Sequence, residues 1–206
     1  MPRTVIYLIR HAETTWNVEG RLQGMLHAPL TERGVRQARY LVEALRSVPL
    51  AALYSSPLAR AQATARPLSD AFGLPLQIVD DLREMNHGEW DGLLVDEVAA
   101  ADGERLRAWR NSPTEVRFPG GECLADVHTR AMRAFDALRT RHRRETIAVV
   151  AHGGVNRAIL LALQGAPLGD FWQIRQDNGC MNIIQVDEGR SRVVALNDTR
   201  HLAADA

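Results

Sequence analysis

LIRHAETTWN, residues 8–17, is where this chain passes from a strand into a candidate site. The apolar run Thr4 to Ile9 reads as a buried β-strand that stops abruptly at Arg10 and His11. In open sheets of parallel strands, ligands sit beyond the carboxyl ends of the strands, so a cation and an imidazole there face a pocket. Three other strand-like runs end in a comparable way. Leu50 to Tyr54 runs into Ser55, Ser56 and Pro57 and then Arg60; Leu76 to Val79 leads into DDLREMNHGEWDG with Glu84; Thr146 to Ala151 ends at a second histidine, His152, followed by Gly153 and Gly154.

The stretches between these runs read as helices and loops. Thr31 is a good N-cap, and Val35, Ala38, Leu41, Val42 and Leu45 recur at helical spacing, which predicts a helix over Glu32 to Arg46. A second helix is expected from Pro57, favoured in a first turn, to Phe72, closed by Gly73. Leu93 to Trp109 is helical but more polar, and Asn111 to Gly121 is a Pro- and Gly-rich loop; residues 88–121 read as a cap-like insertion. Leu124, Val127, Ala131, Phe135 and Leu138 mark a long helix whose basic end, Arg139 to Arg144, suits the helix dipole. Met181 to Val186 and Arg192 to Leu196 flank a turn at Glu188 and Gly189, a hairpin at the sheet edge. The expected fold is a single α/β domain over 1–206: a three-layer α/β/α sandwich, mostly parallel, with an antiparallel edge strand.

Composition narrows the function classes. With 206 residues, 46% of them hydrophobic, the chain is long enough for a sizeable core. Formal net charge is +0, so nothing draws it to nucleic acid or an anionic membrane. No apolar run approaches the roughly 20 residues of a membrane span, and the first residues lack a signal-peptide pattern, so a cytoplasmic location is expected. Cys123 and Cys180 are far apart and lack metal-ligand spacing; both are read as free thiols. All 25 basic residues are arginine. That excludes a Walker-type phosphate loop and a Schiff-base lysine, and leaves arginine, histidine and backbone amides for phosphate recognition.

If the sheet aligns these strand ends, one pocket holds two imidazoles, the guanidiniums of Arg10 and Arg60, and a carboxyl group. That set suits phosphoryl transfer through a phosphohistidine. A neutral imidazole can attack phosphorus when its other nitrogen donates to a carbonyl, and arginines can stabilise the transferring oxygens. A carboxyl group can protonate the leaving oxygen and later accept a proton from water. On chemistry alone Glu84 has rivals in Asp80, Asp81 and Glu89. Each residue also has a plain reading: Arg60 as an ordinary helix arginine, Asn17 as a turn cap, Trp16 as packing, and His27, His128, His142 and His201 as surface or structural.

Taken together the segments resemble the histidine phosphatase superfamily, of phosphoglycerate mutase-like fold. LIRHAETTWN is similar to its nucleophile motif, GRLQG with PLTERGVRQA to its phosphate-side loop and first helix, and SSPLARAQATA to its arginine helix. LREMNHGEWDG and VVAHGG are similar to its acid loop and its second-histidine motif. The resemblance implies that His11 is phosphorylated, that Arg10, Arg60 and His152 hold the phosphoryl group, and that Glu84 is the proton donor. It also implies that Asn17, Gln23, Gly24 and the Gly153 amide lie near the substrate, with no metal and no cofactor. His27 stands where the family often has an acid, and Cys123 follows PGGE where serine is common.

Hydrolases and mutases of this kind differ in what receives the phosphoryl group. A mutase needs extra cations on the far side of the pocket, and the segment from His87 to Gly121 has no adjacent arginine pair. Water as acceptor is the preferred reading; a cofactor-dependent phosphoglycerate mutase and a non-catalytic phosphate-binding module are the alternatives. EMNHGEW is similar to the acid loop of metal-independent phosphoserine phosphatases, in which a histidine contacts the substrate carboxylate, so the resemblance points His87 at a small phosphorylated metabolite such as phosphoserine. The C-terminal Thr199 to Leu202 is expected to close over the same pocket. A homodimer would pair edge strands near Arg192 to Leu196 or Leu50 to Tyr54 across a two-fold axis.

Overall fold

A computed structural model of the chain describes residues 3–205, so the two ends of the expected 1–206 span lie outside the described residues. The elements in chain order are β1 (Thr4–Arg10), α1 (Thr15–Glu19), α2 (Glu32–Leu45), β2 (Leu50–Ser55), α3 (Ala59–Phe72), β3 (Leu76–Ile78), α4 (Val95–Ala101) and α5 (Gly103–Asn111). They continue with α6 (Leu124–Arg141), β4 (Thr146–Ala151), α7 (Gly153–Gln164), β5 (Met181–Asp187) and β6 (Arg190–Asp198). One six-stranded sheet has the order β3-β2-β4-β1-β5-β6. The strands β3, β2, β4 and β1 run parallel; β5 is antiparallel to β1, and β6 to β5.

Apolar side chains on both faces of the parallel strands explain why those runs show no alternation. From β4, Ile147, Val149 and Ala151 pack with α6 and α7 residues such as Leu124, Val127, Phe135, Val155 and Ile159. Ala148 and Val150 point the other way, into Leu41 and Leu45 of α2 and Ala61, Ala65 and Leu68 of α3. This period of two along one strand is what makes three layers. Trp90, Val98, Leu106, Trp109 and Phe118, from the segment between Glu84 and α6, join the α6–α7 core.

Local signals hold at most boundaries. Thr31 Oγ1 accepts the Gly34 N–H at 2.9 Å, capping α2. The β5–β6 turn is Glu188-Gly189 with φ of 49° and 80°, the paired left-handed conformation that matches strand twist. Two expectations need correction. Pro57 lies before α3, whose N-cap is Leu58, because the Ser56 hydroxyl accepts the Leu58 N–H at 3.2 Å and holds the chain extended there. Leu50 to Tyr54 is no edge: β2 lies between β3 and β4, with both sides hydrogen-bonded, and cannot pair with a second copy. Among the described residues the sheet edges are β3 and β6.

Candidate active site

Because β1 and β4 are adjacent and parallel with Arg10 opposite Ala151, the residues that follow them emerge side by side. His11 N–H bonds the Ala151 carbonyl at 2.9 Å, and the His11 and His152 rings lie 5.2 Å apart, centroid to centroid. Both histidines are buried.

His11 Nδ1 lies 2.8 Å from the Ala12 carbonyl. A carbonyl only accepts, so Nδ1 carries the hydrogen and Nε2 keeps its lone pair. The turn is fixed in its own right: Ala12 N–H donates to Thr64 Oγ1 at 3.0 Å, and that hydroxyl donates to the Arg60 carbonyl at 2.8 Å. Burial, then the positive charges of Arg60 and Arg10, hold the His11 pKa well below its ordinary 6.5, so the ring is neutral at neutral pH. His152 shows the same lowering, from burial first, then Arg60, His11 and Arg10.

Arg60, 2% exposed in the first turn of α3, donates Nη1 to the Leu26 carbonyl at 2.9 Å and Nη2 to the Gly24 carbonyl at 2.7 Å. Arg10 Nη1 donates to the Gln176 carbonyl at 2.5 Å. Burial lowers both arginines, Arg60 to about 10. His152 Nε2 lies 2.7 Å from Ser56 Oγ. Among the described residues, four buried side-chain nitrogens have no protein partner, and three of them belong to this site: Arg10 Nε, Arg60 Nε and His152 Nδ1; the fourth is His201 Nδ1. Buried donors without an acceptor cost on the order of 1–3 kcal/mol each, so two guanidinium N–H groups left unpaired beside two adjacent imidazoles suit the binding of an anion.

Glu84 follows a turn of 3-10 helix at Asp80–Leu82. Its Oε1 accepts the Met85 N–H at 2.8 Å and its Oε2 the Gly154 N–H at 3.2 Å, at the start of α7. A Cβ at Gly154 would lie 2.5 Å from Glu84 Oε1, so glycine there leaves the carboxyl group its place. Gly153 is as close to the cations: its Cβ would sit 3.5 Å from Arg10 Nε and 3.2 Å from Arg157 Nη1.

Asn17 is the cap that its plain reading describes, since its Oδ1 accepts the Thr14 N–H at 3.1 Å in a capping box around α1. That oxygen also takes Asn178 Nδ2 at 3.0 Å, and Asn178 reaches the His11 carbonyl at 3.2 Å. Gln23 is buried, with Oε1 unpartnered. Gly24, at φ 44°, passes so close to Asp91 that a Cβ would overlap its carboxylate. Asp91 Oδ2 accepts the Met25 N–H at 2.9 Å; its Oδ1 lies 3.1 Å from His87 Nδ1. His87 also sets its ring edge-on to Phe118, 4.8 Å between centroids.

The C-terminal segment approaches the site from the Arg10 side. Thr199, Arg200 and Leu202 line a cleft of about 630 Å³ shared with Arg10, Gln37, Asp177 and Asn178, which neither Glu84 nor His87 lines. Leu202 is buried there, so the segment covers the Arg10 side of the site. His27 is exposed, and His142 is structural, 2.7 Å from Tyr54 Oη and 2.6 Å from Glu145 Oε2. Ser56, Thr64, Asp91, Arg130, Arg157 and Asn178 went unmarked by sequence; only Ser56 had a signal, its place at a strand end. No group of three or more His, Cys, Asp or Glu among the described residues is placed to hold a metal ion, and no helix there is long and apolar enough to cross a membrane.

Residues 6–199 match the family profile of the histidine phosphatase superfamily (branch 1). The chain is 40% identical to phosphoserine phosphatase 1 of Hydrogenobacter thermophilus, covering 96% of this chain and 93% of that one. It is 34% identical to a metal-independent phosphoserine phosphatase of Arabidopsis thaliana, over 98% of this chain and 84% of that one. The solved structure of Bacillus stearothermophilus YhfR superposes with a TM-score of 0.93 at 35% identity, covering 97% and 99% of the two chains. The sheet, the paired strand-end histidines and these relatives agree: the chain belongs to the histidine phosphatase superfamily, branch 1, and is a phosphatase.

Proposed function

We propose that this phosphatase hydrolyses a small phosphorylated metabolite, phosphoserine first among them, through a phosphohistidine on His11. The observation that carries the reading is that Arg10 Nε and Arg60 Nε, two buried donors without a protein acceptor, and the unpartnered ring nitrogen His152 Nδ1 belong to groups that act on one another across the two histidines. They surround an imidazole whose Nδ1–H is spent on Ala12. His152 Nε2 is taken up by Ser56 Oγ at 2.7 Å; in the tautomer in which that hydroxyl donates, the hydrogen on Nδ1, which has no protein partner, faces a phosphoryl oxygen. The Gly153 amide, Asn17 and Gln23 complete the cradle, with Gly24 leaving room for Asp91.

In the first half, His11 Nε2 forms a bond to phosphorus while the ester P–O bond breaks. The proton of the Glu84 carboxyl goes to the departing oxygen. In the second half, water attacks phosphorus and gives its proton to the Glu84 carboxylate; the P–N bond breaks and its electron pair returns to Nε2. Arg10 and Arg60 stabilise the charge on the non-bridging oxygens in both halves.

For the leaving group, His87 is braced by Asp91 and Phe118, so a ring nitrogen can be offered to a substrate carboxylate. Similarity to two phosphoserine phosphatases supports that choice. Residues 88–121 act as the cap that sets substrate choice. Two of their four arginines turn to neighbouring carboxylates, Arg105 to Asp102 and Arg117 to Asp126, which leaves fewer cations for a second phosphate group and favours water as acceptor. A cytoplasmic location belongs to the same proposal, as does a homodimer paired along β6, where Val194 and Leu196 are exposed.

The test is a panel of phosphoserine, 3-phosphoglycerate, sugar phosphates and p-nitrophenyl phosphate compared by kcat/KM. Phosphoserine should lead, and His11→Ala should abolish turnover of all. Equal rates on phosphoserine and generic esters would remove the His87 assignment. Efficient 2-phosphoglycerate formation with a bisphosphate primer would replace hydrolase by mutase.

A further inference from the structure

Residues 84–87 have no regular secondary structure, yet Glu84 must deliver its carboxyl group to one place. Its side chain is held by two backbone amides, those of Met85 and Gly154. The backbone behind it is held from a distance, by Arg130 of α6.

Arg130 is 4% exposed. Its Nη1 donates to the carbonyls of Asp81 at 2.9 Å and Arg83 at 2.5 Å, and its Nη2 to the carbonyl of Glu84 at 3.0 Å. Nε and Nη2 also grip the two oxygens of Glu122, each at 2.8 Å. Glu122 is the acid of the PGGE stretch. It returns to the same loop: its Oε2 accepts the Asn86 N–H at 2.9 Å, and its own N–H bonds the Asn86 carbonyl at 2.9 Å. Burial pushes the Glu122 carboxyl upward, but Arg130 and the Asn86 amide outweigh it and hold the group below the ordinary carboxylate range. The ion pair is therefore intact at neutral pH.

We infer that Arg130 and Glu122 are positioning residues for the proton donor, clamping the backbone at positions 81, 83, 84 and 86 so that Glu84 meets the leaving oxygen. The clamp needs the planar guanidinium. One cation with five divergent N–H groups spans three carbonyls and a carboxylate, whereas an ammonium offers three N–H bonds from one point. A buried ion pair is poor evidence of stabilisation in itself, and geometric specification is its better-attested use.

This inference rests on Glu84 as the acid. The experiment exploits leaving-group chemistry: an alkoxide such as that of serine needs a proton to depart, whereas p-nitrophenolate does not. Misplacing a reacting group by about 1 Å can cost on the order of 10²-fold. In Arg130→Lys, kcat/KM for phosphoserine should fall on the order of 10²-fold, with a loss at least ten times smaller for p-nitrophenyl phosphate. Glu122→Gln should show the same split in milder form, and it serves as the readout if Arg130→Lys does not fold. Glu84→Gln is the reference. If it splits the two substrates and the clamp variants slow both equally, or neither, the clamp is overturned and Glu84 stands. If Glu84→Gln shows no split, the acid assignment fails and takes the clamp with it.

Discussion

Gly154→Ala adds one methyl group to a position where Glu84 tolerates none. The new Cβ would lie 2.5 Å from Glu84 Oε1, while ordinary contact begins at 3.4 Å, so the carboxyl group must withdraw by 3.4 − 2.5 = 0.9 Å. It is the end of a flexible side chain and yields more readily than helix α7. In a helix, alanine is better than glycine by about 1 kcal/mol, so the fold should not lose stability. A displacement of this size at a reacting group costs on the order of 10²-fold. The consequence falls unevenly on the two halves of the reaction with p-nitrophenyl phosphate. Phosphorylation of His11 needs no acid for so good a leaving group, but water attack on the phosphohistidine needs Glu84 as base. Rapid mixing should therefore show a burst of p-nitrophenolate close to one equivalent per site, then turnover slowed on the order of 10²-fold. Slow turnover without a burst, at unchanged Tm, would refute Glu84 as the base of the second half. Wild-type turnover would refute the contact itself.

Arg60→Lys keeps the charge but cannot reach both Gly24 and Leu26 carbonyls; kcat/KM should fall about 10²-fold to 10³-fold, with stability lower by roughly 1–2 kcal/mol if the buried Gly24 carbonyl is left unpaired. Near-normal kcat/KM with unchanged Tm would show that neither bond matters. The free enzyme should also lose stability as the medium is acidified below pH 6.5. His11 and His152 have folded pKa values well below 6.5, so below that pH the unfolded chain takes up protons that the folded one refuses. Tm should thus decline from pH 6.5 towards pH 5, before the carboxylates titrate, and replacing both histidines by glutamine should flatten most of that decline. An equal slope in wild type and double variant would contradict the assigned neutrality.

The layers and the strand ends were legible because they are local: an apolar run that stops at Arg10–His11, another at His152, and helices carried by spacing such as Val35 to Leu45. The neighbours that these residues acquire were not. Ser56 meets His152 across 96 positions and Arg130 meets Glu84 across 46, and no periodicity encodes such pairs. Leu50 to Tyr54 reads equally well as an edge or an interior strand, since only the order β3-β2-β4 decides it. The partners of the C-terminal segment are hidden for a similar reason: Leu202 is an ordinary leucine in sequence, and its burial beside Gln37 follows from where α2 lies.

Asp91 links two jobs that a designer would prefer to keep apart. It braces His87, the residue proposed to meet the leaving group, and it accepts the Met25 amide within the loop whose carbonyls at Gly24 and Leu26 hold Arg60. Any attempt to widen or recharge the pocket for another metabolite by altering position 91 is transmitted through three residues of loop to the arginine that serves every substrate. Retargeting this enzyme is therefore better begun at His87 itself, set edge-on to the buried Phe118, where a side chain can change without slackening the grip on phosphate.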